Sequence, residues 1–236
     1  MSKLAKEFNN SLRRQNHMYA AWLPVTNTLK VGDFGIINGG VFRALGNIKD
    51  TFGIDFNVEE GPKTEVDIAS EGTTVVKVVG GAEVPAFPPN GDLEAKINVS
   101  FSKENSFLVK AKLTCLQMSN IQEVAWKLVK EKRWKRSYKV VESTYIGKDS
   151  VIILSSESNT TVGLTGSVDA LKMLEAGQAS VDVGVERENK ASFQSIGEEG
   201  VIGLRLFKLG WSGSVKTLKE NEVEVEKLDS DLEDDF

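Results

Sequence analysis

The feature that most constrains this chain is a period-two alternation, carried twice in succession. Ala95, Ile97, Val99 and Phe101 alternate with Glu94, Lys96, Asn98, Ser100 and Ser102. Beyond residues 103–106, Phe107, Val109, Ala111, Leu113 and Cys115 alternate with Leu108, Lys110, Lys112 and Thr114. Successive side chains of a strand point to opposite faces, so each arm reads as a strand with one apolar and one polar face. The short polar link between them predicts a long two-faced antiparallel hairpin over 93–116. Another alternating run, Ala179, Val181, Val183 and Val185 against Ser180, Asp182, Gly184 and Glu186, predicts a further amphipathic strand.

The rest of the chain is read by the same rules. Leu4, Phe8 and Leu12 fall four apart, one stripe of an N-terminal helix. Asn38-Gly39-Gly40 between apolar runs is a hairpin signal, and 52–56 reads as another short strand. The β-branched run at 73–76 is a strand, and Pro85, Pro88 and Pro89 make a stiff loop. Asn120 with Glu123 looks like a capping box for a helix over 120–136, whose inner stripe is Ile121, Val124, Ala125, Leu128 and Val129. Residues 138–146 and 150–156 read as strands joined by a turn at Gly147-Lys148-Asp149, and 157–166 as irregular. Ser167 caps a short helix ended by Gly177, and 201–209 is a last apolar strand.

Composition removes much of catalysis. His17 is the only histidine and Cys115 the only cysteine among 236 residues, so zinc sites built from several His and Cys are impossible and no intrachain disulfide can form. Gly197-Glu198-Glu199-Gly200 puts carboxylates where a phosphate loop needs none, and Asp33-Phe34-Gly35 has no catalytic loop after it. No cofactor is expected. The absence of a long apolar stretch predicts a chain that starts in the cytoplasm.

The formal charge of −5 is unevenly spread: residues 219–236 hold nine acidic residues and two lysines, so the remainder carries +2. The cations concentrate at 127–139, where Lys127, Lys130, Lys132, Arg133, Lys135, Arg136 and Lys139 face Glu131 alone, with Trp126 and Trp134 between them. Anionic lipid attracts such a cluster at about 1 kcal/mol per cation, and Trp suits the bilayer interface. A plain solvated helix face is the alternative. Nucleic acid is not expected, because no recognised binding module accompanies the patch. A lipid-crossing strand needs about 9–11 residues. The arms at 93–102 and 106–116 meet that length, with Lys96, Lys110 and Lys112 on the polar face.

From about residue 93 onward the order of elements resembles the pore-forming N-terminal domain of gasdermins. The matching stretches are 93–116, 120–136, Tyr138-Lys139-Val140-Val141-Glu142, 148–195 and the run Val201-Ile202-Gly203-Leu204-Arg205-Leu206-Phe207-Lys208-Leu209, together about half of the chain. The expected fold is α+β: a twisted, mostly antiparallel sheet with helices packed on it and long amphipathic hairpins, forming one domain over 1–214 with an acidic tail at 215–236. The resemblance implies a non-enzymatic pore former, cytoplasmic when inactive and membrane-bound when active. Its partners would be anionic membrane lipids and further copies of itself, with an activating protease or an inhibitory partner as regulator. Lys127, Lys130, Lys132, Arg133, Trp134, Lys135 and Arg136 would bind lipid. Ile97, Val99, Phe101, Phe107, Val109, Leu113, Val181, Val183 and Val185 would enter the membrane, and Glu222, Glu224, Glu226, Asp229 and Asp231 would restrain the basic segment. The competing reading is a β-rich cytoplasmic binding protein without membrane activity.

Overall fold

The computed structural model describes residues 3–89, 93–178, 183–187, 193–196, 198–210 and 214–218. Its helices are Lys3–Asn16 (α1), Ile48–Phe52 (α2), Ile121–Lys130 (α3) and Val168–Glu175 (α4). The strands up to the first alternating run are Tyr19–Ala20 (β1), Asp33–Asn38 (β2), Val41–Asn47 (β3), Val58–Glu60 (β4), Thr64–Ala69 (β5), Thr73–Val79 (β6) and Ala82–Val84 (β7). Those after it begins are Glu94–Phe101 (β8), Ser106–Met118 (β9), Lys139–Ser155 (β10), Thr160–Ser167 (β11), Gly184–Arg187 (β12), Phe193–Ile196 (β13), Gly200–Leu209 (β14) and Val215–Thr217 (β15).

The fold is α+β, with two sheets whose described pairings are all antiparallel. A ten-stranded sheet is centred on β10, and a five-stranded sheet runs in the order β12-β11-β8-β6-β7. They stack in layers. On one face of the large sheet α1 buries Leu4, Phe8 and Leu12 against Phe107, Val109 and Ile152. On the other face Leu108, Val151 and Ile153 pack against the small sheet's Ile97, Val99 and Phe101, with Val168, Leu171 and Leu174 of α4 filling the same space. No helix among the described residues is long and apolar enough to cross a membrane.

The expected hairpin over 93–116 does not form. β8 pairs with β6 and β11 in the small sheet, whereas β9 pairs with β4, β5 and β10 in the large one. Residues 102–105 therefore link one sheet to the other instead of turning a strand back on itself. Similarly, β10 is one strand of 17 residues: the expected turn at 147–149 is a bulge, with Asp149 at φ +52 and the register to β9 slipping between Lys148 and Val151. An extra residue is absorbed this way when pairing continues on both sides of it. Residues 160–166, expected to be irregular, belong to β11 because Val162 and Leu164 face the core and β8 supplies the hydrogen bonds. The strand expected at 52–56 does not form, and a helical turn at 48–52 precedes an irregular stretch instead. Asn47 accepts the Lys49 N–H to start the turn, and Gly53 at φ +67 stops it.

Candidate functional site: bent strands and a cationic edge

Four strands of the small sheet are chain neighbours of four strands of the large sheet. β5 leads into β6, β8 into β9, β10 into β11, and β12 precedes β13. Their order is conserved across the bend: β6-β8-β11-β12 in one sheet matches β5-β9-β10-β13 in the other. The central register continues as well. Ser106 pairs with Ser155 in the large sheet and Phe101 with Thr160 in the small one, so four residues intervene on each arm. On the outer arms the mismatch is small. Ala69↔Leu108 gives way to Thr73↔Phe101, and Leu154↔Phe193 to Val162↔Arg187, offsets of three and two residues. The arrangement is one four-stranded antiparallel sheet folded back on itself.

The fold also exchanges faces at the corner. In an unbroken strand Phe101 and Phe107, six residues apart, share a face. Here Phe101, with Ile97 and Val99, lies between the sheets, while Phe107, with Val109 and Leu113, lies under α1. β10 and β11 behave alike: Ile152 and Leu154 lie under α1, Val162 and Leu164 between the sheets. Each amphipathic strand thus buries its two halves against different partners. The polar faces carry Lys96, paired with Glu186 at 2.7 Å, and Lys110, paired with Asp67 at 2.9 Å. Lys112 is exposed. Glycine has a packing role where α4 ends. Gly177, at φ +70, lies so near β9 that a Cβ there would stand 3.2 Å from the Ala111 backbone nitrogen.

At another part of the surface lies the cationic segment, in a different form from the one expected. α3 stops at Lys130, and Lys132, Arg133, Lys135 and Arg136 sit exposed on the irregular connection to β10. On this connection Trp134 turns inward. Its ring packs among Phe34 (5.8 Å), Phe52 (5.8 Å) and Tyr138 (5.3 Å), half-buried rather than displayed, and its buried indole N–H has no hydrogen-bond partner. The capping box is also replaced: Asn120 accepts the Asn57 N–H at 2.9 Å and donates to Glu123, tying α3 to the chain before β4. Val129, assigned to the inner stripe, is 53% exposed. Trp126 is 68% exposed, with the Lys130 ammonium 5.3 Å from its ring centre. The Lys127 ammonium holds Glu123 below the usual carboxylate range, and Arg133 does the same for Glu131. Among the described residues Lys132 and Lys135 have no ion-pair partner. Lys139 is buried and donates to the Ser137 carbonyl at 2.9 Å.

A third cluster went unnoticed in the sequence. Glu142 of β10 is buried, 3.7 Å from Arg205 Nε on β14, and accepts the Thr217 hydroxyl of β15 at 3.4 Å. Burial pushes its carboxyl up against the opposing pull of Arg205, and burial likewise raises Tyr145 and the Cys115 thiol beside it. Thr217 belongs to the segment expected to be tail. Val215–Thr217 adds a strand to β14, and Leu218 is buried beyond it. Only Glu142, set between the apolar pairs Val140-Val141 and Tyr145-Ile146, could have signalled this cluster.

The predicted site residues therefore divide. Ile97, Val99, Phe101, Val183 and Val185 belong to the small sheet's side, Val185 being exposed at its edge, and Phe107, Val109 and Leu113 to the α1 side. Val181 and the tail residues Glu222, Glu224, Glu226, Asp229 and Asp231 lie outside the described residues. Among the described residues no three His, Cys, Asp or Glu side chains gather as a metal site would.

No protein-family model matches the chain, and no curated protein matches it. Among solved structures, a bacterial gasdermin from Bradyrhizobium tropiciagri is similar over 84% of this chain and 85% of that chain, with 15% identity and a TM-score of 0.35. At that distance no residue here is assigned a role from it.

Proposed function

We propose that this chain is a non-enzymatic, pore-forming protein. It docks on membranes of acidic lipid through its cationic edge and permeabilises them by straightening the bent four-stranded sheet, which copies of the chain close into a barrel. The observation that carries the reading is the corner itself. Order and central register match across the bend, and on the two central arms Phe101 with Phe107 and Leu164 with Leu154, buried in two separate clusters, would fall on one face once the strands straighten. An apolar face opposed to a polar one is what lipid and a water-filled lumen together require.

Length supports the same reading. Residues 94–105 span about 40 Å when extended, at about 3.3 Å per residue, and the hydrocarbon core is about 30 Å thick. The small sheet and its corners suffice, so the large sheet can stay beneath α1. Ile97, Val99, Phe101, Val162, Leu164 and Val185 then face lipid, while Lys96, Asn98, Ser100 and Glu186 face water. Lys77 is the exception on the lipid side. It pairs with Ile97, near the hairpin tip, where the cost of a cation falls off toward the interface. An open sheet edge in hydrocarbon leaves backbone groups unpaired, so assembly is obligatory. Four strands per copy preserve the antiparallel alternation from one copy to the next.

On this reading Lys132, Lys135, Arg133 and Arg136, with Trp126 beside them, meet the headgroups, and the acidic residues beyond 218 restrain them. Dye release from vesicles tests it. The full chain, or a version ending at Leu218, is expected to empty anionic vesicles and to leave zwitterionic ones intact. Changing Lys132, Arg133, Lys135 and Arg136 to Glu should abolish anionic-vesicle binding. Intact vesicles with both chains would remove the pore reading, and undiminished binding by the charge-reversed form would move the docking surface elsewhere.

A further inference from the structure

Each described corner is built alike. Just before the strand resumes stands a residue with a left-handed backbone: Gly72 at φ +84 before Thr73, Asn105 at φ +56 before Ser106, and Asn159 at φ +53 before Thr160. Left-handed backbone is open to glycine, tolerable for asparagine and costly for other residues, above all β-branched ones. Each corner is also bound by hydroxyls. Ser70 and Thr73 lie 3.0 Å apart, and Ser70 accepts the Phe107 N–H at 2.9 Å. Ser106 donates to the Lys103 carbonyl at 2.9 Å, and Ser102 to the Gly72 carbonyl at 3.1 Å, so two corners are knitted together. Ser155 and Thr160 lie 3.0 Å apart and both reach the Glu157 carbonyl.

We infer that these three corners are a set of matched hinges, in which one left-handed residue and one hydroxyl clamp per strand hold the sheet bent. Passage of Gly72, Asn105 and Asn159 from left-handed to extended backbone is the step that releases the small sheet. The inference rests on the straightening proposed above and adds the residues that govern it. At the two central corners it also accounts for the exchange of faces, because a left-handed residue reverses the local course of the chain and interrupts the strand's alternation. No general loosening of the fold is needed: pairing between β8 and β11 can persist through the swing, since their register with β9 and β10 already runs on through the corner.

The test uses a thiol placed between the sheets by V99C, a site that is fully buried, with native Cys115 under α1 as the internal reference. N105V and N159V each disfavour the left-handed backbone and favour extended chain. Each should speed labelling of the introduced thiol about tenfold, and the two together should do more. Cys115 labelling and the amide protection of β8 and β11 should not change. N105G and N159G keep the left-handed option open and should stay within about twofold of the parent. Equal acceleration at both thiols, no acceleration at either, or acceleration by the glycine changes would overturn the hinge. If the double valine variant does not fold, each single variant gives the same reading. Vesicle leakage is measured in parallel. Selective labelling without leakage from any variant keeps the hinge and removes the pore; leakage with labelling insensitive to Asn105 and Asn159 does the reverse.

Discussion

Two helices cover the two halves of the bent sheet, and they do so differently. α1 comes from the chain terminus and lies over the large-sheet half, with Phe8 edge-on to Phe107 at 5.4 Å and Trp22 packed beside it. α4 is only 8 residues long, and it is the connection between β11 and β12 themselves. It fills the small-sheet half with Val168, Leu171 and Leu174 and is pinned by Lys77 to Glu175 at 2.8 Å and by Lys172 to the Pro89 carbonyl at 2.7 Å. The contrast assigns them different duties. A cover that arrives from elsewhere can remain while the strand beyond it swings away. A cover made from the strands' own tip must leave with them.

Truncating the two covers is the strongest way to break this comparison. F8A removes a fully buried ring from the α1 cluster and should lower global stability by about 3–5 kcal/mol, read as a shift in the urea midpoint. L171A empties a site of comparable burial and carries a local cost of about 2–5 kcal/mol. If α4 is a separable cover, that cost shows as faster amide exchange in α4 and in the segment before β12, with a smaller midpoint shift than F8A. Equal midpoint shifts, with exchange accelerated everywhere, would mean that both helices belong to one cooperative unit and that the small sheet does not open alone.

A milder change sharpens the same point. Ser167 caps α4 by accepting the Ala170 N–H at 3.2 Å. S167A should cost about 1 kcal/mol and accelerate exchange of the α4 amides about fivefold while leaving α1 untouched. Acceleration that spreads to α1 would tie the two covers together.

How much of this was legible beforehand follows from what alternation can encode. Leu4, Phe8 and Leu12 named α1, and the odd positions from 95 to 115 named the apolar face of two strands, because periodicity reports which way side chains point. It does not report which strand lies alongside. A four-residue polar link suits a hairpin loop and a sheet-to-sheet corner equally well, and only the distant partners β11 and β6 decide between them. Trp134 failed for a similar reason. Lys132-Arg133-Trp134-Lys135-Arg136 reads as an interfacial segment, but Phe34 and Phe52, from two distant parts of the chain, join Tyr138, four residues on, to make the pocket that takes the indole. Val215–Thr217 looked like tail because the acidic run begins a few residues later, whereas the open edge of β14 recruits it.

The smallest effect expected tests a region that neither cover touches. Glu142 is raised above its ordinary value chiefly by burial, with Arg205 and Thr217 opposing. An acid raised in the folded chain keeps its proton where the unfolded chain has already lost it. The folded state then binds more protons, and stability falls as pH rises from the ordinary carboxylate value through the raised one. At neutral pH Glu142 is therefore a net cost to folding. E142Q preserves an acceptor for Thr217 and leaves Arg205, which is partly solvated, to water. The variant should be more stable than the parent at neutral pH, and the difference should vanish as pH falls well below the ordinary carboxylate value, where the parent is protonated in both states. Because β10 supplies side chains to both the α1 and the α4 cluster, protection in α1 and α4 should shift together with the midpoint. A difference independent of pH would deny the buried carboxylate this role, and a shift confined to α4 would mean that the small sheet senses the base of β10 directly.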